Sequence, residues 1–201
     1  WYEKISIRGY TQLRYNHTID NDLVRMADDR SIAGNNEFFL RRARLIISGQ
    51  PHNRVFFYFQ PEFAAGLVGG PEQVGVVRDL YADLFLTENK EWRVRAGLSK
   101  VPYGFESMQS SQNRLALDRT DAFTSGTPNQ RDLGLFLYYT PTAVRERFKR
   151  LVDNGLKGSG DYGMLGIGVY NGQGTNVRDQ NKNKHVVFHA MYPYEFPNGQ
   201  I

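Results

Sequence analysis

Cysteine is absent from all 201 residues, which excludes disulfides, thiolate metal sites and cysteine nucleophiles together. Long hydrophobic runs are missing too. Nothing approaches the roughly 18 consecutive apolar residues of a membrane helix, so the chain does not cross an inner membrane by helices. A charged-then-apolar leader is not found at Trp1, and the expectation is that any export signal has been removed or lies outside this sequence. Charge of one sign is not dominant either. The formal net charge is only +4, so where the cations gather matters more than their total. Hydrophobic residues make up 40% of the chain and the mean hydropathy is −0.53. Those values resemble a water-soluble protein, yet a transmembrane β-barrel spreads its apolar residues over every second position and scores the same way.

That alternation is what the sequence does contain. From Trp92 to Ser99, Trp92, Val94, Ala96 and Leu98 share one face of a strand and Arg93, Arg95, Gly97 and Ser99 the other, because strand side chains alternate with period two. One face is apolar and the other cationic. Arginines opposite an apolar face would be costly in a sandwich core, whereas a barrel with lipid outside and a wet lumen inside requires them.

The pattern recurs along the chain. Lys4 to Tyr15 reads as a strand with Arg8 and Arg14 on its polar face. His17 to Asn36 is a long polar loop. Phe38 to Gly49 puts Phe39, Ala43, Leu45 and Ile47 outward and Arg42, Arg44 and Ser48 inward; Arg41 breaks the pattern and is expected near a membrane rim, where its charge reaches water. A short turn at Gln50–Asn53 leads into a strand with Arg54, Tyr58, Gln60 and Glu62 on the polar side. After a glycine-rich loop, Val76 to Thr87 turns Leu80, Ala82, Leu84 and Leu86 outward and Asp79, Tyr81, Asp83 and Phe85 inward. Further strands are expected at Leu133–Tyr139, Tyr162–Tyr170 and His185–Tyr194, with a short helix around Ala143–Val152 in the connection after the sixth strand. The total is about eight strands, each near the length that crosses a bilayer when tilted. Long loops alternate with short turns until that sixth connection departs from the rule.

The segments FFLRRARLIISG (38–49), VRDLYADLFL (77–86), RVRAGLSKVPYGFE (93–106), NRLALDRTDAF (113–123) and QRDLGLFLYY (130–139), in this order and spacing, resemble the phosphate-selective porin family, the porin O and P type. The resemblance implies an all-β, antiparallel outer-membrane barrel of the Gram-negative type, assembled as a homotrimer. It also implies a lumen lined by arginine and lysine, and a loop after the fifth strand that folds inward. Here that loop is about 100–130. Family barrels have roughly twice the strands read here, so the expectation is that residues 1–201 are the N-terminal half of a single larger barrel.

The expected function is passive passage of small anions such as phosphate or polyphosphate, with Arg8, Arg14, Arg42, Arg44, Arg54, Arg93 and Arg95 lining the pore and Lys100, Arg114 and Arg119 in the constriction loop. The bland reading of these cations is pairing with Asp79, Asp83, Glu106, Asp118 or Asp121, and the arginines outnumber the strand acids. The alternative function is a general or plugged barrel serving as a structural subunit of an outer-membrane assembly. Neither a cofactor nor catalysis is expected. His185 and His189 on a strand lie about 13 Å apart, too far for one metal. Gly166 to Gly172 misses the dinucleotide fingerprint by one residue and lacks a following helix. Asp118 and Asp121 have no accompanying signal of a glycosidase site. Nucleic acid is not an expected partner, because the arginines alternate with lipid-type residues instead of clustering with stacking aromatics.

Overall fold

The computed structural model describes residues 4–17, 36–65, 73–111, 118–120, 130–154 and 163–199. Eight strands form one antiparallel sheet in sequence order: β1 (Ile5–Asn16), β2 (Glu37–His52), β3 (Val55–Glu62), β4 (Val76–Phe85), β5 (Trp92–Lys100), β6 (Arg131–Tyr139), β7 (Leu165–Tyr170) and β8 (His185–Ala190). Each pairs with its sequence neighbours, and β1 and β8 are not paired with each other, so the described sheet is open. Among the described residues two helices interrupt it, α1 (Phe105–Met108) after β5 and α2 (Thr142–Asp153) after β6. No described helix is long and apolar enough to cross a membrane, which says nothing of strands.

The two faces of the sheet have the polarity the alternation demands. Ile7, Leu13, Leu133, Leu135, Ile167 and Phe188 are between 50% and 70% exposed. On the other face Arg44, Glu62, Asp79, Asp83, Arg93 and Arg95 are all buried. This inverts the order of a water-soluble fold and fits a sheet with hydrocarbon outside and a polar interior. Aromatic side chains mark both ends of the outer face. Tyr15 and Phe38 meet at a ring separation of 4.8 Å at the loop end, and Trp92 and Tyr139 at 4.6 Å at the turn end, as amphipathic rings do at membrane interfaces.

Register explains where the alternation misleads. Gln12 faces Arg42 while Leu13 faces Leu40, so Arg41 is an extra residue in β2; Gln60 faces Asp79 while Pro61 faces Val77, so Arg78 is an extra residue in β4. Bulges of this kind re-aim side chains. The first one reverses parity on its N-terminal side. Phe39 is opposite Arg14 and not on the outer face as its spacing suggested, whereas Phe38 and Leu40 are opposite Tyr15 and Leu13.

Three sequence-expected boundaries also shift. The β2–β3 turn is Asn53–Arg54, so β3 begins at Val55. β7 begins at Leu165, and β8 ends at Ala190, ahead of Pro193, which has no N–H for a ladder. Phe136 and Tyr138 of β6 lie over Gly168 and Gly166, their partners on β7. A Cβ at Gly166 would fall 2.9 Å from the Tyr138 ring, and one at Gly168 would overlap the Phe136 ring, so glycine is required for both rings to lie flat on the inner wall.

The outer face yields a test. Leu135, mid-strand and 57% exposed, should not tolerate charge: Leu135→Arg should cost about 2–4 kcal/mol of stability in lipid, read by urea titration of the bilayer-inserted protein, while Leu135→Met should cost under about 1.5 kcal/mol.

Candidate functional site

Residues of β1 through β6 line one cavity of about 770 Å3, which shows that the sheet curls around its polar face. Arg8, Arg44, Arg93, Arg95 and Lys100 of the sequence-expected set are among its lining residues. Among the described residues, eight cationic side chains line it against two carboxylates, Asp79 and Asp83.

Four of the wall arginines are held in a definite geometry. Arg95 donates two parallel bonds to Asp83, at 2.7 and 2.9 Å, and its guanidinium lies 3.8 Å from the centre of the Tyr81 ring. Arg93 approaches the same carboxylate at 3.6 Å and lies over Tyr138. Arg131 bonds Asp79 at 2.9 Å, and Arg44 pairs with Glu62 through its Nε while donating to the Tyr10 hydroxyl at 2.6 Å. Carboxylates and aromatic faces thus fix the guanidinium groups that a wet wall would otherwise leave free to swing.

Several expected residues do other things. Arg54 does not join the wall, because the hairpin turn takes positions 53 and 54; it is exposed, 4.0 Å from Glu88. Arg14 and Arg42 share the Asp118 carboxylate at 2.5 Å each, and Arg41 joins them at 2.8 Å. Arg41 therefore turns toward Asp118 through its bulge, and its side chain is only 14% exposed. Lys100 donates to the carbonyls of Met108 and Gln109 at 2.8 and 2.7 Å, fastening the end of α1. Arg119 reaches the Ser107 carbonyl at 3.3 Å. Arg114, with Leu115, Leu117, Asp121 and Phe123, lies outside the described residues.

The described parts of segment 100–130 run from β5 toward β1 and β2. Val101 and Met108 are buried, Ser111 accepts a bond from Arg44 at 3.1 Å, and Asp118 meets the arginines of β1 and β2. Burial works to raise the Asp118 pKa, but Arg41, Arg42 and Arg14 outweigh it and hold the carboxyl below the usual range.

Arg78, Arg131 and Arg145 were not singled out from the sequence. Arg78 sits within electrostatic reach of Glu62, Asp79, Arg44 and Arg131. It shares the parity of Leu80, and only the bulge turns it inward. Arg131 begins a strand at the same parity as the outward Leu133, and Arg145 belongs to a helix, so strand alternation carried no signal for either. His185 and His189 share no metal cluster; among the described residues no such group of His, Asp and Glu occurs. Asp118 is engaged in ion pairs with Arg14, Arg41 and Arg42.

At the turn end, Glu91 accepts from the Thr142 N–H at 2.8 Å and hydroxyl at 2.9 Å. These two bonds, the backbone one foremost, hold its carboxyl below the ordinary glutamate range.

An open antiparallel sheet with an apolar exterior, aromatic ends and a cation-rich interior defines an outer-membrane porin barrel. The sequence profile of phosphate-selective porin O and P matches residues 11–201, and the chain belongs to that family. Its place is the outer membrane of Gram-negative bacteria, and its family's proteins are channels for small anions, not enzymes. Neither a curated protein nor a solved structure matches the chain.

Two outcomes follow. Asp118→Asn removes the carboxylate common to three arginines; losing charge-assisted bonds of about 1.5–3 kcal/mol should speed proteolytic cutting within 100–130 of the folded protein by about tenfold or more. An unchanged rate would mean that the arginines do not fasten the segment. Glu91 has a lowered pKa, so its contribution is fully present above the ordinary value of about 4.3 and disappears as pH falls through the lower folded value. Amide exchange at 142–145, corrected for intrinsic rates, should be flat above pH about 5 and accelerate only in acid.

Proposed function

We propose that this chain forms part of the wall of a larger, homotrimeric barrel through which small anions, phosphate or polyphosphate among them, pass by passive diffusion. The observation that carries the reading is the excess, among the described residues, of eight cationic side chains over two carboxylates around one cavity. In a narrow space with low-dielectric walls such an excess raises the local anion concentration and repels cations. Arginine keeps its charge at any physiological pH and offers paired donors that match phosphate oxygens.

In this reading Arg8, Arg44, Arg93 and Arg95 act as the funnel, with Arg14 and Arg42 behind the loop they hold. Segment 100–130 narrows the lumen, and Lys100 keeps α1 in place while adding its charge to the same space. Further strands cover the edges of β1 and β8, since unpaired backbone groups facing hydrocarbon cost several kcal/mol each.

Arg93 and Arg95 are poor choices for a selectivity test, because their loss would strand Asp83 on the wall. Arg8 is better: it lines the cavity and is exposed. One charge at about 10 Å in water is worth about 0.4 kcal/mol, about a factor of two for each ion and opposite in sign for anion and cation, so Arg8→Gln in the complete pore should lower the anion-to-cation permeability ratio about fourfold, read as the reversal potential across a salt gradient. Lys100→Glu should disrupt both the α1 contact and the anion preference. A pore that prefers cations before any change would overturn the proposal, and a barrel that never conducts would be the plugged structural subunit.

A further inference from the structure

Among the connections at the turn end, Asn53–Arg54 and residues 86–91 are short, but residues 140–164 are not. The excess length contains α2. This helix is fastened at both ends to points several strands apart. At its N-terminus Glu91 takes the two Thr142 bonds, and Arg145 donates to the carbonyls of Lys90 at 2.9 Å and Asn89 at 2.6 Å, in the β4–β5 turn. Further along, Arg150 and Arg147 pair with Glu195 at 2.8 and 3.5 Å, and Arg147 bonds the Tyr192 hydroxyl at 3.0 Å, just past β8.

The span fits the helix. Twelve residues at 1.5 Å each give about 18 Å, and β5 to β8 at about 4.8 Å per strand cover a similar width. Val144 and Phe148 are buried. Arg145 and Val152 line the same cavity as the wall arginines, together with Lys90, whose ammonium lies over the Phe85 ring.

We propose that α2 is a strap across the turn-side mouth of the lumen, forming a second narrow point whose cationic rim is Arg145 and Lys90. It rests on the porin reading for the solute it screens, and on geometry alone for its position. A solute that has passed the arginine wall must then pass beneath a helix whose lumen-facing cation has the same sign. Arg145 and Lys90 therefore add a second screening step for anions at the other end of the pore. Because α2 is tied down by side chains and turn carbonyls and is not a rung of the ladder, it can be loosened without unpairing a strand.

The test uses the complete protein in liposomes with one introduced cysteine, Phe56→Cys, which lines the cavity next to the β2–β3 turn. A bulky maleimide is supplied from the turn side. Replacing 142–153 by a short Gly-Ser linker should raise the labelling rate about tenfold and increase single-channel conductance. Should that replacement fail to fold, Glu91→Ala with Arg145→Ala at one end and Glu195→Ala with Arg147→Ala at the other remove the side-chain ties while leaving the strands intact, and should raise labelling in the same direction by a smaller factor. Equal labelling with and without the ties would overturn the proposal. Labelling does not depend on ion preference, so a cation-selective pore whose labelling still rises would refute the anion reading and leave the strap standing.

Discussion

Every backbone N–H and C=O of a chain that lies in hydrocarbon has to find its partner inside the protein, and the ladder between successive antiparallel strands is how this chain meets that demand. Once the ladder is fixed, period-two geometry sends alternate side chains to lipid and to the interior. The rest of the structure follows from that division. Leu133 and Leu135 of β6 face out while Phe136 and Tyr138 face in, and neither set could move to the other side without a one-residue slip along the whole strand.

The interior is polar but not loosely so. Asp83 holds Arg93 and Arg95, Asp79 holds Arg131, and Glu62 holds Arg44. Placing a carboxylate beneath some of the cations lowers the net charge, yet it also fixes each guanidinium at a defined place on the wall. Rings under Arg44, Arg93, Arg95 and Lys90 serve the same end without cancelling charge. Much of the positive charge is therefore presented by side chains that have already lost much of their freedom.

The bulges tie fold to site. Arg41 and Arg78 each occupy an inserted position in a ladder, and each turns toward the interior charges instead of toward lipid, where its parity would have sent it. Arg41 then meets Asp118 from the segment after β5. A local irregularity in β2 thus contributes an anchor for a segment that starts three strands away, at the end of β5.

Alternation along Trp92–Ser99, Val76–Phe85 and Leu133–Tyr139 is enough to assign the strands and their two faces, and in Trp92–Ser99 the inward Arg93 and Arg95, because period two is a property of the chain itself. Length alone flagged the sixth connection, and its helix was legible at Ala143–Val152. What the sequence did not contain was register. Phe39 and Arg41 changed sides, and Arg78 joined the interior, because a bulge exists only between two strands and leaves no mark on one of them alone. Arg54 went to the turn for the same reason, since the hairpin closes where β2 and β3 pair. Long-range meetings were equally invisible: Asp118 with Arg14, Arg41 and Arg42, Lys100 with the carbonyls at the end of α1, and α2 with Glu91 and Glu195 are set by how the sheet curls, not by spacing along the chain. The sequence by itself thus determined the strands and the sign of each face, through local sterics; which charges meet, and which segments are tied to which strands, only the pairing and curl of the strands could decide.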